Sequence, residues 1–257
     1  MVKASGFHTN KETNKSAFLF LDQGTTTVRI LPAYNERGMW FREIKEIPYH
    51  NEEGKYRPIV SPATVGKPCP FVEEGTRLYQ LGGEENLAKA QDLRPRTSFI
   101  FNVVVKSTPD GDFPVDECVK VLKCPVTVYR GILDLDQDAA GGWGNITDLE
   151  KGIDIRITKT GQGKTDTRYV VKGVPNGRTN ILDWLSEKGY TQELTPKDLD
   201  SFFTPQPYEE LEVLLKEKLS KDVTKVFEGM DENGEKAPLA PVSSINKEVA
   251  PPLPTKE

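Results

Sequence analysis

Residues Phe99 to Lys106 set Phe99, Phe101, Val103 and Val105 at alternate positions, with Ile100, Asn102, Val104 and Lys106 between them. Successive side chains of an extended strand point to opposite faces, so this run predicts a strand with at least one wholly apolar, buried face. A second run imposes the same constraint. Ile153, Ile155 and Ile157 alternate with Asp154, Arg156 and Thr158, and Thr167 to Lys172 answers them across Gly161-Gln162-Gly163, which predicts a hairpin. Further strands are expected within 17–31, in two pieces around Asp22-Gln23-Gly24, then at Met39 to Ile47 and at 118–123. The body of the chain, 17–180, is therefore read as mainly short antiparallel strands.

Helical signals are fewer and mostly later. Glu84 to Leu93 and Ile181 to Lys188 read as short helices, and the apolar segment 126–136 leans the same way. Thr195-Pro196 with Asp198 is a helix start, and Pro207 opens an amphipathic run to Phe227 with Leu211, Leu214, Leu215 and Leu219 on one face. Residues 51–75, rich in Pro, Gly and Glu, are expected to be irregular, within a loop-rich insertion at 48–93. Residues 1–16 read as a mildly basic flexible arm, 181–228 as a helical segment, and 229–257 as a disordered tail.

At 257 residues and 36% apolar content the chain can bury a real core. It has no apolar run of signal-peptide or bilayer-crossing length, and Cys69, Cys118 and Cys124 are too few for a disulfide framework, so a cytoplasmic, reducing compartment is expected. The net charge of -5 is unevenly placed: residues 1–180 carry 25 Lys and Arg against 23 Asp and Glu, residues 181–257 carry 9 against 16. A near-neutral body can focus a positive cleft locally while the C-terminal region stays acidic.

Rings and cations interleave between 28 and 70: Arg29, Tyr34, Arg37, Trp40, Phe41, Arg42, Lys45, Tyr49, His50, Lys55, Tyr56 and Arg57, ending in Pro68-Cys69-Pro70. An unpaired nucleic-acid strand offers π faces and phosphate charge, and this mixture suits both. Thr160 to Thr165 contains Gly-Lys-Thr, yet Thr158 stands where a phosphate-binding loop needs glycine and Arg168 to Val171 is β-type, so a hairpin turn is expected. No close pair of metal ligands accompanies Cys69 and His50. Asp134, Asp136 and Asp138 read as a solvated acidic loop, and no histidine-based catalytic arrangement stands out.

Residues 18–174 resemble the single-stranded DNA-binding, helix-destabilising proteins of tailed bacteriophages. The likeness rests on Arg29-Ile30-Leu31-Pro32 leading to Arg37-Gly38-Met39-Trp40, then Tyr49-His50, Pro68-Cys69-Pro70, Arg94-Pro95-Arg96 into Phe99-Ile100-Phe101-Asn102-Val103, and Asp148 to Ile155 with Gly161 to Tyr169. The resemblance implies an OB-fold Greek-key barrel with C-terminal helices and an inserted subdomain that often holds zinc through one histidine and three cysteines. Here His50 and Cys69 match two ligand positions, the region of Ser61 lacks a cysteine, and Val72 replaces another, so no metal and no cofactor are expected. The insertion is instead expected to pack around Phe71, Val72 and Leu78.

The resemblance further implies a non-enzymatic, sequence-nonspecific binder that coats and protects single-stranded DNA in phage replication, recombination and repair. Candidate DNA contacts are Arg29, Arg37, Trp40, Arg42, Lys45, Tyr49, Lys55, Tyr56, Arg57, Arg94, Arg96, Phe101, Lys106, Lys123, Tyr129, Lys159, Arg168 and Tyr169. Phe99 and Phe101 compete with a core role, while Trp40 and Tyr56, flanked by charge and turns, are stronger stacking candidates. Implied partners are single-stranded DNA, neighbouring copies along it, and replication and recombination proteins reached through the acidic C-terminal region, with no membrane. The rival reading is a magnesium-dependent nuclease built on Asp134, Asp136, Asp138 or Asp148.

Overall fold

The computed structural model describes residues 17–35, 38–51, 53–137, 144–163 and 166–228, the side chains of 176–177 and 221–228 excepted. The expected arm 1–16 and tail 229–257 lie outside these residues, as do Arg37, Asp138 and Lys164. Contacts divide the chain into Met1–Glu212 and Val213–Glu257, and the whole sheet belongs to the first unit.

The alternation read at Phe99 to Lys106 extends to a 13-residue strand, β5 (Arg96–Thr108), on which the sheet is organised. The other strands are β1 (Phe18–Leu19), β2 (Gly24–Ile30), β3 (Phe41–Ile47), β4 (Ile59–Val60), β6 (Gly111–Asp112), β7 (Val119–Pro125), β8 (Ile153–Thr160) and β9 (Arg168–Arg178). One edge of β5 pairs with β7 through Ser98–Val104; the other pairs with β3 through Arg96–Phe101 and with β2 through Val103–Ser107. Strands β2 and β3 thus lie end to end along β5. The order β1-β7-β5-β2-β8-β9 is an open path, with β1 and β9 at its ends.

Phe99, Phe101, Val103 and Val105 are buried with Val28, Ile30, Leu122, Val128, Ile132 and the three isoleucines of β8. The opposite face is buried as well. Ile100 packs with Ile44, Val60, Val121, Leu199 and Phe203, and Val104 with Leu31, Cys118, Ile181 and Leu185. Residues 181–206 return across this face, and Asn102 pins them: its side-chain amide donates to the Lys197 carbonyl at 2.8 Å and accepts from the Lys197 N–H at 2.9 Å. The polar residue that broke the apolar pattern is therefore satisfied by a neighbouring segment rather than by solvent.

Helices fall close to their predicted places, with one addition. The segment expected to be irregular carries β4, a 3-10 turn at Pro62–Val65 and the start of α1 (Pro70–Leu81). Pro70 opens the helix because its fixed φ suits the first turn and its missing N–H has no intrahelical partner there. α2 (Glu84–Leu93) packs on α1 at Gly75, where an added Cβ would lie 3.6 Å from the Ala90 carbonyl and 3.7 Å from Leu93. Phe71 and Leu78 are buried as expected, but Val72 is 38% exposed. One residue turns about 100° around a helix, which carries Val72 away from the face that Phe71 buries.

α3 (Val126–Gln137) follows β7, and α4 (Ile181–Glu187) is capped by Asn180, whose side chain accepts from the N–H groups of Leu182 and Asp183. The start of α5 (Tyr208–Glu228) is tied to α1 where the Tyr208 hydroxyl donates to Glu73 at 2.7 Å. Gly131 lets α3 approach β9, since an added Cβ would sit 2.8 Å from Val171 Cβ. Gly131→Val is expected to cost about 1–3 kcal/mol by overpacking, read as a lower urea midpoint.

All three thiols are buried and free. Burial pushes the Cys118 thiol from 9.0 up to about 11 and raises Cys124 further in the same direction. A raised pKa means that the folded state holds its proton where the unfolded chain releases it, so this stability is complete below 9.0 and is lost as pH rises through about 11. Urea midpoints are expected to hold between pH 7 and 8.5 and to fall between about 9 and 11; a flat profile there would contradict this burial.

Candidate nucleic-acid interface

The β3–β5 ladder places Phe41 opposite Phe101 and Glu43 opposite Phe99, and α3 lays Tyr129 over both strands. The Phe99 and Tyr129 rings stack at 3.7 Å with 6° between planes, Phe41 lies 4.9 Å from Tyr129, and Trp40 lies 5.1 Å from Phe41 and 5.9 Å from Phe101. Phe99 and Phe101 form the buried floor. Trp40, Phe41, Tyr129 and Tyr169 are half-buried at its rim. Burial raises the phenol pKa of Tyr129, with Glu43 and Asp136 adding to it, and burial likewise raises Tyr169, so both stay neutral rings at physiological pH. Neutral, partly open rings supported by a packed floor offer bases a π surface at little ordering cost.

The same face continues along β3 to Lys45, which stands opposite Thr97 and lies 3.5 Å from the Glu43 carboxylate. Past Ile47 the chain makes a tight excursion in which His50 bridges Tyr56, the Arg57 N–H donates to the Tyr49 carbonyl, and the His50 and Tyr56 rings lie 5.5 Å apart. Tyr56 is 48% exposed, and Lys55 and Arg57 are exposed beside it. Lys55 pairs with Glu53 at 2.8 Å, while Arg57 makes no ion pair among the described residues. Exposed Arg94 lies at this end of the ladder, whereas Arg96, opposite Glu46, belongs to the face opposite the rings, which corrects its reading as a contact of the ring face. From Phe41 to Tyr49 the run is eight residue steps, or about 27 Å at strand spacing, long enough for several nucleotides.

Other sequence candidates lie elsewhere. Arg29 is wholly buried, which corrects its reading as a phosphate contact: its guanidinium meets Asp154 at 2.9 Å and donates to the Thr179 carbonyl at 2.9 Å and hydroxyl at 2.6 Å. Desolvation lowers its pKa, opposed by Asp154. Lys106 is corrected for the same reason, its ammonium lying 2.6 Å from Asp154 and 4.8 Å from the Trp184 ring centre. Phe101 is also wholly buried and cannot stack on a base. Arg42 pairs with Asp200 at 3.0 Å and Lys123 with Glu46 at 2.6 Å, both on the face opposite the rings. Lys159 faces the ring side opposite Tyr169 and donates to the Leu21 carbonyl at 2.8 Å, whereas exposed Arg168 lies on the outer face of the hairpin.

Phe41 is a rim residue that the candidate set omitted, although its neighbour Trp40 signalled it. Among the described residues no group of three or more His, Cys, Asp or Glu side chains could hold a metal ion. Asp148 accepts from the N–H groups of Glu150 and Lys151, which hold its carboxyl below the usual range. β8 pairs with β9 as a hairpin, with Gly161 at φ +76° and Asp166 accepting from the N–H groups of Gln162 and Gly163. No described helix is long and apolar enough to cross a membrane.

A sheet that carries half-open rings on a buried aromatic floor, leading to a cationic, tyrosine-bearing excursion, has the make-up of a surface for unpaired nucleic acid. The family model described as gp32 DNA binding protein like matches residues 22–222, and the chain belongs to this family of gp32-like DNA-binding proteins. No curated protein matches the chain.

Proposed function

We propose that this protein binds single-stranded DNA without sequence preference and without catalysis, with Trp40, Phe41, Tyr129 and Tyr169 receiving bases and Lys45, Lys55, Arg57, Arg94 and Lys159 meeting phosphates. The observation that carries the reading is the half-open rim around the Phe99–Tyr129 stack, on the face that runs along β3 to the Tyr56 excursion. Membership of a DNA-binding family supports it. A partly open OB-type sheet belongs to the same proposal, and what supports it is the way β5 serves both β2 and β3 along one edge. So do a tailed-phage setting in the host cytoplasm, coating of DNA in replication, recombination and repair, self-association along the strand, and recruitment of replication and recombination proteins by the acidic C-terminal region.

Titration of oligo(dT) against intrinsic tryptophan fluorescence is the test. Quenching is expected, and the apparent affinity should fall with a log–log salt slope of about -0.7 per phosphate contacted. Absence of any response at low salt overturns the reading. Labelled single strands incubated with magnesium should stay intact and be shielded from added nuclease; cleavage by the protein itself would favour the nuclease alternative.

A further inference from the structure

We infer that the outer face of the β8–β9 hairpin is a second nucleic-acid contact, a ring-free track for phosphates that takes the strand after it has turned the sheet edge. The hairpin's inner side belongs to the ring face: Ile155 and Ile157 enter the core, and Lys159 stands opposite Tyr169. Its outer side carries Arg156 opposite Lys172, Thr158 opposite Val170 and Thr160 opposite Arg168. All three cations are exposed, and none makes an ion pair among the described residues. β2 adds Thr27 beside Arg156 and Thr25 beside Thr158, whose hydroxyls lie 2.9 Å apart.

Three carboxylates near this face are already engaged. Asp154, where α4 closes the face, is held between Arg29 and Lys106, and Asp166 accepts from the turn's own N–H groups. Along the Arg156 row, Thr27 and Ser107 intervene before Asp112, which pairs with Lys188 at 3.4 Å. Arg156 and Arg168 are separated by four residue steps of antiparallel ladder, about 14 Å, a spacing that alternate phosphates of an extended strand can match. β9 ends the strand path, so among the described residues no further strand stands between the two faces. Tyr169 points to the ring side and Arg168 to the outer side of this edge strand, and a polynucleotide leaving the rings reaches the cations by passing over one backbone.

This inference rests on the single-strand reading, and oligonucleotide length separates the two. Arg156→Glu/Arg168→Glu/Lys172→Glu is compared with the wild type on fluorescein-labelled oligo(dT) of about 8 and about 30 nucleotides, within and beyond the site sizes seen for one binding fold. The expected result is an unchanged affinity for the short strand, a drop of about tenfold or more for the long one at low salt, and a salt slope about 2 units shallower for the long strand only. Equal losses at both lengths, or no loss at either, overturn the second contact. Failure of the wild type to quench with the short strand would instead overturn the ring site. Arg156→Gln/Arg168→Gln/Lys172→Gln, together with melting curves of both variants, guards against a folding defect and should show the same length dependence at smaller amplitude.

Discussion

Replacing Asp154 with alanine is expected to destabilise the first unit by about 3–5 kcal/mol, the largest effect of any single polar substitution considered. The carboxylate sits on β8 opposite Arg29, receives the buried guanidinium at 2.9 Å and the Lys106 ammonium at 2.6 Å, and lies beneath α4. Removal leaves a wholly buried arginine without its nearest carboxylate, facing the Thr179 carbonyl and hydroxyl and the Asp148 carbonyl, uncharged acceptors at 3.4 Å or less. A buried cation without its counter-charge costs far more than the intact pair contributes, because desolvation is no longer offset. Urea unfolding measures the loss, and a change below about 1 kcal/mol would refute the assignment. The double variant Arg29→Met/Asp154→Leu should recover much of the stability, since it removes both charges at once.

Trp40→Ala is expected to weaken binding of short oligo(dT) by about 1–3 kcal/mol, a loss of roughly 5- to 150-fold. Trp40 lies at the open rim, 5.9 Å from buried Phe101 and 6.3 Å from Tyr129, so truncation removes a stacking surface and leaves the floor in place. Trp40→Phe should retain most of the affinity, because a π face of similar orientation remains. A Trp40→Ala variant that melts normally and binds as tightly as the wild type would remove the ring site from the mechanism. Phe101→Leu makes the contrast: a wholly buried ring can lower stability while leaving the affinity of the folded protein intact.

Strand alternation carried much of the fold. The face alternation of β5, the β8–β9 hairpin, α2, α3 and the start of α5 could all be read from residue order, because a period of two or 3.6 is a local property. Pro70 falls in the segment expected to be irregular although it opens α1, since the same Pro-rich composition serves a loop and a helix start. β8 and β9 pair as the hairpin expected from the β-type residues after Gly161-Gln162-Gly163, with Gly161 at φ +76° and Asp166 accepting from the Gln162 N–H.

The site was only partly legible. Sequence order alone determined that rings and cations are interleaved along β3 and the excursion after it, because strand alternation and neighbourhood are local. Which of them faces solvent was decided by pairing. Arg29 and Arg42 look equivalent in the sequence, but one meets Asp154 across a strand pair separated by more than a hundred residues and the other meets Asp200 in the returning C-terminal segment. Phe101 looks like a stacking ring until the core closes over it, and Arg156 and Lys172 look unrelated until the hairpin sets them side by side. Local chemistry chose the side chains; desolvation and long-range charge pairing, which exist only once the sheet has assembled, chose which of them remain free for a ligand.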